Sequence, residues 1–221
     1  MTLGVKVIRK SGILLSKFIS VLLVLLYVGQ GAVIIYLVRE RYELRCILKD
    51  QQQKINEMEE KLKILDIIEE FQVGFKEDEV MTLTQVIYDE SKKYGYDPLL
   101  LLALILTESS MRKGQVSEMG AMGLMQVKPS VGHALSQKRG LRWKGELSLF
   151  EPAYNIQLGA YYLFELILKF QDVKKAIIAY NLGENALRLR LREGQKPPTY
   201  FLRRVLDNYK RLKEKYDGSR S

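Results

Sequence analysis

The sequence predicts a mainly α protein in three parts: a single transmembrane helix, a coiled-coil-like helical stalk and an all-α domain. Three observations predict it. Residues 18–38 form an apolar run about as long as a helix needs to cross a hydrocarbon core. A seven-residue apolar rhythm follows. From Glu79 onward apolar residues recur at helical spacing, punctuated by Gly and Pro. With 221 residues, 47% of them hydrophobic, there is material for one or two ordinary domains.

The first part reads as an anchor. Residues 1–17 carry Lys6, Arg9, Lys10 and Lys17 and no acid. The run that follows, FISVLLVLLYVGQGAVIIYLV, is apolar apart from Ser20 and Gln30. A buried core helix seldom runs this long without a charge. A signal peptide has a shorter apolar region ending at small residues, whereas here the run continues past Gly29 and Gly31 through Ala32-Val33-Ile34-Ile35. An uncleaved anchor is therefore expected. Basic residues without acids precede it, and Arg39, Glu40, Arg41 and Glu43 follow. The positive-inside rule then keeps residues 1–17 in the cytoplasm and sends the rest of the chain out across the membrane. Although the net charge is +9, that placement removes nucleic acid from the expected partners.

Residues 39–72 are read as the stalk. Leu48, Ile55 and Leu62 share one heptad position, and Leu44, Gln51, Met58 and Leu65 share the other, the a/d seam of a coiled coil. In a parallel homodimer Lys54 would face Glu59, and Lys61 would face Asp66. A single amphipathic helix packed on its own domain fits the same rhythm, and the sequence leaves both open. Cys46, the only cysteine, falls on the outer face and permits neither an intrachain disulfide nor a Cys-based metal site. Gly74, in Val73-Gly74-Phe75-Lys76-Glu77-Asp78, breaks the rhythm and marks a boundary.

The expected domain spans 79–217. Val80, Leu83, Val86 and Ile87 mark one helix face. Asp97-Pro98 supplies an N-cap and a first-turn proline for the next helix, LLLLALIL followed by Thr107-Glu108-Ser109. Glu108 is the odd residue there, since Leu101, Leu104 and Ile105 share its face. A carboxyl at the end of such a face is desolvated, stays protonated near neutral pH and suits a general acid. Taken from this helix alone, the plainer reading is that Glu108 marks where the helix reaches solvent. His133, the only histidine, lies near no nucleophile elbow and reads as structural or surface.

The neighbouring sequence decides for chemistry. GAMGLMQ with Pro129 (residues 120–129) is turn-rich, and its glycines let backbone approach a ligand while Gln126 offers a donor and an acceptor. EPAYNIQLGAYYL (151–163) opens a helix, and AYNLG (179–183) ends one at glycine. Glu108-Ser109 and these three motifs, in this order, resemble the catalytic domain of soluble-type lytic transglycosylases, with a goose-type-lysozyme-like fold. The match runs from about Glu79 to Tyr209 and covers neither anchor nor stalk.

The resemblance implies that Glu108 is the catalytic acid/base. It places Met125 and Gln126 around the sugar before the cut, Gln126 by an N-acetyl group, and the Tyr180 hydroxyl beside Glu108. Asn155 and Asn181 would support the site or bind saccharide, and Ser109 and Ser117 would brace it from behind. By their residue types alone, Met125 also reads as core, Asn155 as a helix cap, and Tyr154 and Tyr161 as packing. Two departures stand out: Glu184 replaces a frequent proline after AYN-x-G, and Phe201-Leu202 stands where the family has Tyr-Val, so a cleft hydroxyl is expected to be missing.

The implied activity is cleavage of peptidoglycan glycan strands between N-acetylmuramic acid and N-acetylglucosamine, leaving 1,6-anhydromuramyl ends, with no metal or cofactor. A single carboxylate suffices if the substrate's acetamido group assists. The alternatives are a lysozyme-like hydrolase of the same bond and an inactive wall-binding scaffold joined to envelope protein partners.

Overall fold

The computed structural model describes the backbone of residues 3–217 and the side chains of 17–216. The expected cytoplasmic flank, with Lys6, Arg9 and Lys10, lies outside the described side chains. Among the described residues there are eight α-helices, one 3-10 turn and no strand longer than an isolated bridge.

The first helix, α1, covers Leu3–Phe71, and the chain divides into two compact units between Glu57 and Met58. In the first unit the side chains from Phe18 to Val38 are exposed apart from half-buried Gly31, so this apolar stretch has no protein partner within the described chain. Its 21 positions rise about 30 Å as a helix, enough to cross a membrane by length and composition. Within the stalk Leu44, Leu48 and Ile55 are exposed.

The second unit begins earlier than the sequence suggests. The helix break is where Gly74 predicts it, but residues 58–71 belong to the domain. Ile64, Ile67 and Ile68 are at most 1% exposed and join the core. They lie one turn apart on a second stripe of α1, displaced from Met58 and Leu62, which remain exposed. The a/d seam and the core stripe overlap in one helix, and the seam concealed the stripe.

After α1 come α2 (Glu77–Tyr94) and α3 (Pro98–Ser109). Glu79 accepts a hydrogen bond from the Lys76 amide at 3.0 Å at the start of α2, and Gly95 ends it in the left-handed region. Asp97 caps α3, accepting from the Leu99 amide at 2.9 Å, with Pro98 in the first turn. A loop then leads to α4 (Pro129–Arg139), the 3-10 turn (Glu146–Phe150) and α5 (Pro152–Phe170). The chain closes with α6 (Val173–Leu182), α7 (Glu184–Arg192) and α8 (Tyr200–Asp217).

α3 forms the centre of the domain. Nine of its twelve residues are buried, and it packs mainly on α8 and also on α2, which in turn packs on α5. A helix that apolar has no polar face to offer water, so it must be enclosed. A buried ion pair fastens the opposite edge: Arg139 donates to Glu90 at 3.3 Å and to the Gln157 carbonyl at 2.7 Å.

Candidate active site

Glu108 sits one residue before the end of α3, so the most enclosed helix of the domain delivers its carboxyl to a surface opening. That opening is a cavity of about 590 Å³. Its wall includes Glu108, Ser117, Gln126, Tyr180 and Asn181, five of the eight positions read from the sequence. Among the described residues Glu108 is the only acid on this wall. Neither Glu118 nor Glu151 lines it, and Glu151 faces Lys144 at 3.7 Å.

Burial pushes the Glu108 pKa up to about 8, and the Arg204 guanidinium pulls it partly back. The carboxyl is therefore mostly protonated at neutral pH and ready to donate.

Three of the eight positions lie behind the cavity rather than on it. Asn155 is wholly buried: its Oδ1 accepts from the Met125 amide at 2.7 Å, and its Nδ2 donates to the carbonyls of Met122 and Leu149 at 2.9 and 3.0 Å. All of its amide capacity but one lone pair is used by backbone, so the structure gives it a bracing role and no contact with a saccharide. The Met125 side chain is wholly buried in the core, with no surface toward a sugar. Its backbone carbonyl instead accepts the Tyr180 hydroxyl at 2.9 Å. Ser109 is buried and bonds back to the Ile105 carbonyl at 3.2 Å.

Two glycines make this arrangement possible. Gly123 has φ +78°, and a Cβ there would stand 2.3 Å from Asn155 Nδ2 and 2.4 Å from the Leu149 carbonyl. A Cβ on Gly159 would meet the Met125 Cβ and Sδ, both at 2.6 Å, and the Tyr180 hydroxyl at 2.9 Å. The glycines of two separate motifs thus let the 120–127 loop sit directly on α5.

Gln126 itself has φ +47°, uncommon for a side chain other than Gly or Asn. The strained backbone is fixed by its own carboxamide, whose Nε2 donates to the Gly123 carbonyl at 2.8 Å and the Gln115 carbonyl at 3.2 Å. Both amide protons are spent on backbone, which leaves the carbonyl oxygen as the uncommitted end of the side chain. Ser117 accepts from the Ala121 amide at 3.0 Å and closes the same loop. Tyr180 is buried, its phenol pKa is pushed well up, and the Glu108 charge adds to that shift. Its hydroxyl proton goes to the Met125 carbonyl, while Tyr162 leans against its ring at a centroid distance of 5.2 Å.

Sequence reasoning missed Arg204, Tyr162 and Thr107 on the cavity wall. Tyr162 was within reach, since it lies seven residues after Asn155 and so on the same face of α5. Arg204 had no local signal and arrives through the packing of α8 on α3. Phe201 does line the cavity, with an aromatic ring and no hydroxyl, and Glu184 is engaged by Lys169 at 2.6 Å and Arg188 at 3.0 Å. His133 is exposed, beside Trp143. Among the described residues no three His, Cys, Asp or Glu side chains gather to hold a metal ion.

Comparison with known families places this cavity. The transglycosylase SLT domain matches residues 85–200, just over half the chain and nearly all of the cavity wall. The chain belongs to the transglycosylase SLT domain family. Its SLT domain is 36% identical over 95 residues to a transglycosylase of Enterobacteria phage PRD1, covering 43% of this chain and 32% of the phage protein. It is 45% identical over 74 residues to an endo-type membrane-bound lytic murein transglycosylase A of Klebsiella pneumoniae, covering 32% of this chain and 36% of that protein. The chain thus spans about a third of the length of these relatives. A solved structure of an inactive mutant of the lytic transglycosylase Slt from Pseudomonas aeruginosa aligns with a TM-score of 0.47 and 25% identity, over 58% of this chain and 22% of that one. The all-α class expected from the sequence is the class the SLT domain shows.

Asn155 is the position where the SLT loop is most dependent on one side chain. Asn155→Ala strands the Met125 amide and two carbonyls, and is expected to cost about 3 kcal/mol. That corresponds to roughly 6–12 °C in Tm for a domain of this size. Thermal unfolding checks it, and a loss under 2 °C would mean that the loop holds without its brace.

Proposed function

We propose that this chain is a membrane-anchored peptidoglycan lytic transglycosylase, with Glu108 as its acid/base. The observation that supports this reading is a lone carboxyl, which burial keeps largely protonated, on the wall of a mixed polar and apolar cavity within the stretch that the SLT domain matches. With no second acid on that wall among the described residues, the substrate's own acetamido oxygen has to stabilise the cationic centre. Glu108 protonates the leaving oxygen between N-acetylmuramic acid and N-acetylglucosamine. Once ionised, it takes the proton of the muramyl C6 hydroxyl as that oxygen closes on C1, leaving a 1,6-anhydro end. The free carbonyl of Gln126 receives the N–H of an N-acetyl group, and Asn181, exposed at the rim, reaches a neighbouring sugar. Ser117, Ser109, Asn155 and Met125 hold the loop and helix that carry these groups.

The apolar 18–38 helix and the membrane-bound names of relatives support an anchor. In our reading it crosses the inner membrane with the N-terminus inside and the domain outside, facing the wall. The exposed stripe of Leu48, Ile55, Met58 and Leu62 pairs with a second copy, with Lys54 facing Glu59 across the seam. Met58→Cys, oxidised in native membranes, should give a disulfide-linked dimer, and a monomer alone would remove the pairing.

Incubating the full chain in detergent micelles with purified peptidoglycan tests the activity. Anhydromuropeptides identified by mass are the expected product. Reducing ends would make the protein a hydrolase, and no product would leave a wall-binding scaffold.

The pH profile follows from the raised pKa. Glu108 must be protonated in the free enzyme, so kcat/KM should be level below about pH 8 and fall tenfold per unit above it. Arg204→Ala removes the charge that lowers this pKa, so the falling limb should move to higher pH. A limb near pH 4–5 would mean an ordinary solvated carboxylate.

A further inference from the structure

The active-site cavity carries a cation that the cleavage chemistry does not use. Lys128 lines the wall, two residues after Gln126, and is exposed. Its backbone is fixed from both sides. Val127 exchanges two hydrogen bonds with Met122, at 3.0 and 3.1 Å, and Pro129 opens α4 directly after it. The base of the side chain is therefore held while its ammonium stays free to move.

Nothing in the protein occupies that ammonium. Four lysines lie between residues 113 and 144. Lys113 is paired with Glu79, Lys138 with Glu165 at 2.8 Å and Lys144 with Glu151 at 3.7 Å. The Lys128 ammonium has no carboxylate or hydrogen-bond acceptor among the described residues. It also stands at the N-cap of α4, where the helix dipole disfavours a positive charge. Arg204, the other cation on the wall, is engaged by the Thr107 carbonyl at 3.3 Å and lies over the Tyr200 ring. With Glu108 as the only acid there among the described residues, the wall is net positive whether or not that carboxyl is ionised.

The glycan assigned to this cavity is neutral except at one point. N-acetylglucosamine has no charge, and N-acetylmuramic acid has only the carboxyl of its lactyl group, which is neutral while amide-linked to a peptide. Hydrolysis of that amide adds water, releases the peptide as an amine and leaves a carboxylate on the lactyl group. The lactyl ether is on C3 and the acetamido group on C2 of the same ring. A muramyl residue whose acetamido N–H meets Gln126 thus presents its lactyl group beside that contact, and Lys128 is the cation two residues along. We propose that Lys128 binds the lactyl carboxylate of a muramyl residue that has lost its peptide, which makes stripped strands the preferred substrate. The subsite rests on the transglycosylase reading, and it places the protein after an amide hydrolase that frees the lactyl group. A lysine suits a partner on a flexible ether, because it acts as a mobile point charge and demands no fixed geometry.

The test uses the full chain in detergent micelles with Glu108→Gln, which prevents turnover, and three probes. These are strands bearing peptides, strands stripped by an amidase, and stripped strands whose lactyl carboxyls have been converted to methylamides. Stripped strands should bind about fivefold tighter than their methylamides, the upper range of an exposed ion pair, and the ratio should shrink as salt is raised. Lys128→Ala in the same background should remove the difference, Lys128→Glu should reverse it, and Lys128→Arg should keep it. Because the two stripped probes differ chiefly in charge and the readout is a ratio, neither lost peptide bulk nor damage to the fold imitates the result. Equal binding of stripped and methylamidated strands, or an unchanged ratio in Lys128→Ala, overturns the subsite and leaves the transglycosylase reading intact. Tightest binding of peptide-bearing strands, lost in Lys128→Ala, also overturns it and gives Lys128 a peptide carboxylate instead. Binding of none of the three overturns both readings.

Discussion

Glu108→Gln should lose at least about a thousandfold of the strand-cleaving activity and at the same time make the protein more stable at neutral pH. The loss follows from removing the only proton donor assigned to the leaving oxygen, within the range usual for general acids. The gain follows from linkage. The unfolded chain ionises this carboxyl near 4.5, whereas in the folded protein burial holds the proton up to about 8. Between those values the native state binds more protons than the unfolded one, so the carboxyl's contribution is fully present below pH 4.5 and is lost as pH rises through 8. By pH 7 this amounts to a few kcal/mol, about 1.4 kcal/mol per unit of pH. Glutamine has no charge to desolvate and escapes the loss. Tm measured across pH 4–9 should show the two proteins converging at the acid end and separating above it. A constant offset would mean that Glu108 is not held in a desolvated site, and retained cleavage would place the acid elsewhere.

Ile67→Asp should unfold the domain, although by heptad reading the residue belongs to a stalk. Ile67 is 0% exposed among the residues of the core, and an unpaired carboxylate there has no partner to offset its desolvation. A loss above about 4 kcal/mol is expected, most of the stability of an ordinary domain. Ile55→Asp, on the same helix but 49% exposed, should leave the domain's stability, measured by urea unfolding, within about 0.5 kcal/mol of wild type. By the same logic a chain starting at residue 74 would lack the side of its core that Ile64, Ile67 and Ile68 supply, and a chain starting at 58 would keep it. Equal stability of the two aspartate variants would show that the end of α1 is dispensable.

The local signals in the chain were read correctly where one residue acts on its own neighbours. Asp97-Pro98 starts α3, Gly183 ends α6, and a run of leucines around Ala103 demands enclosure, because caps, φ preference and hydrophobicity operate over a few residues. Glu108 stood out as an acid at the end of an otherwise apolar face, but that helix alone favoured a plain solvent-facing end, and only the motifs that follow singled it out. Motif order then identified the family, which composition and periodicity alone did not.

Asn155 and Met125 show where that reading stops. In a sequence both stand beside presumed site residues, yet α5 turns Asn155 inward to satisfy loop backbone, and Met125 packs under the loop whose carbonyl holds Tyr180. Which face of a helix or loop meets a cavity is decided by what packs on the other face, and that information lies 30 and 55 residues away in the chain. Arg204 is the clearest case, since nothing near it announces a role and its effect on Glu108 exists only because α8 lies against α3. The last turns of α1 repeat the point: one helix carries two apolar stripes, and only the fold decides which is core. The sequence by itself determined the mainly helical class, the helix ends set by local caps and the family. The tertiary structure alone decided which polar groups share the cavity with Glu108 and where the domain begins, because burial and charge act through space and not along the chain.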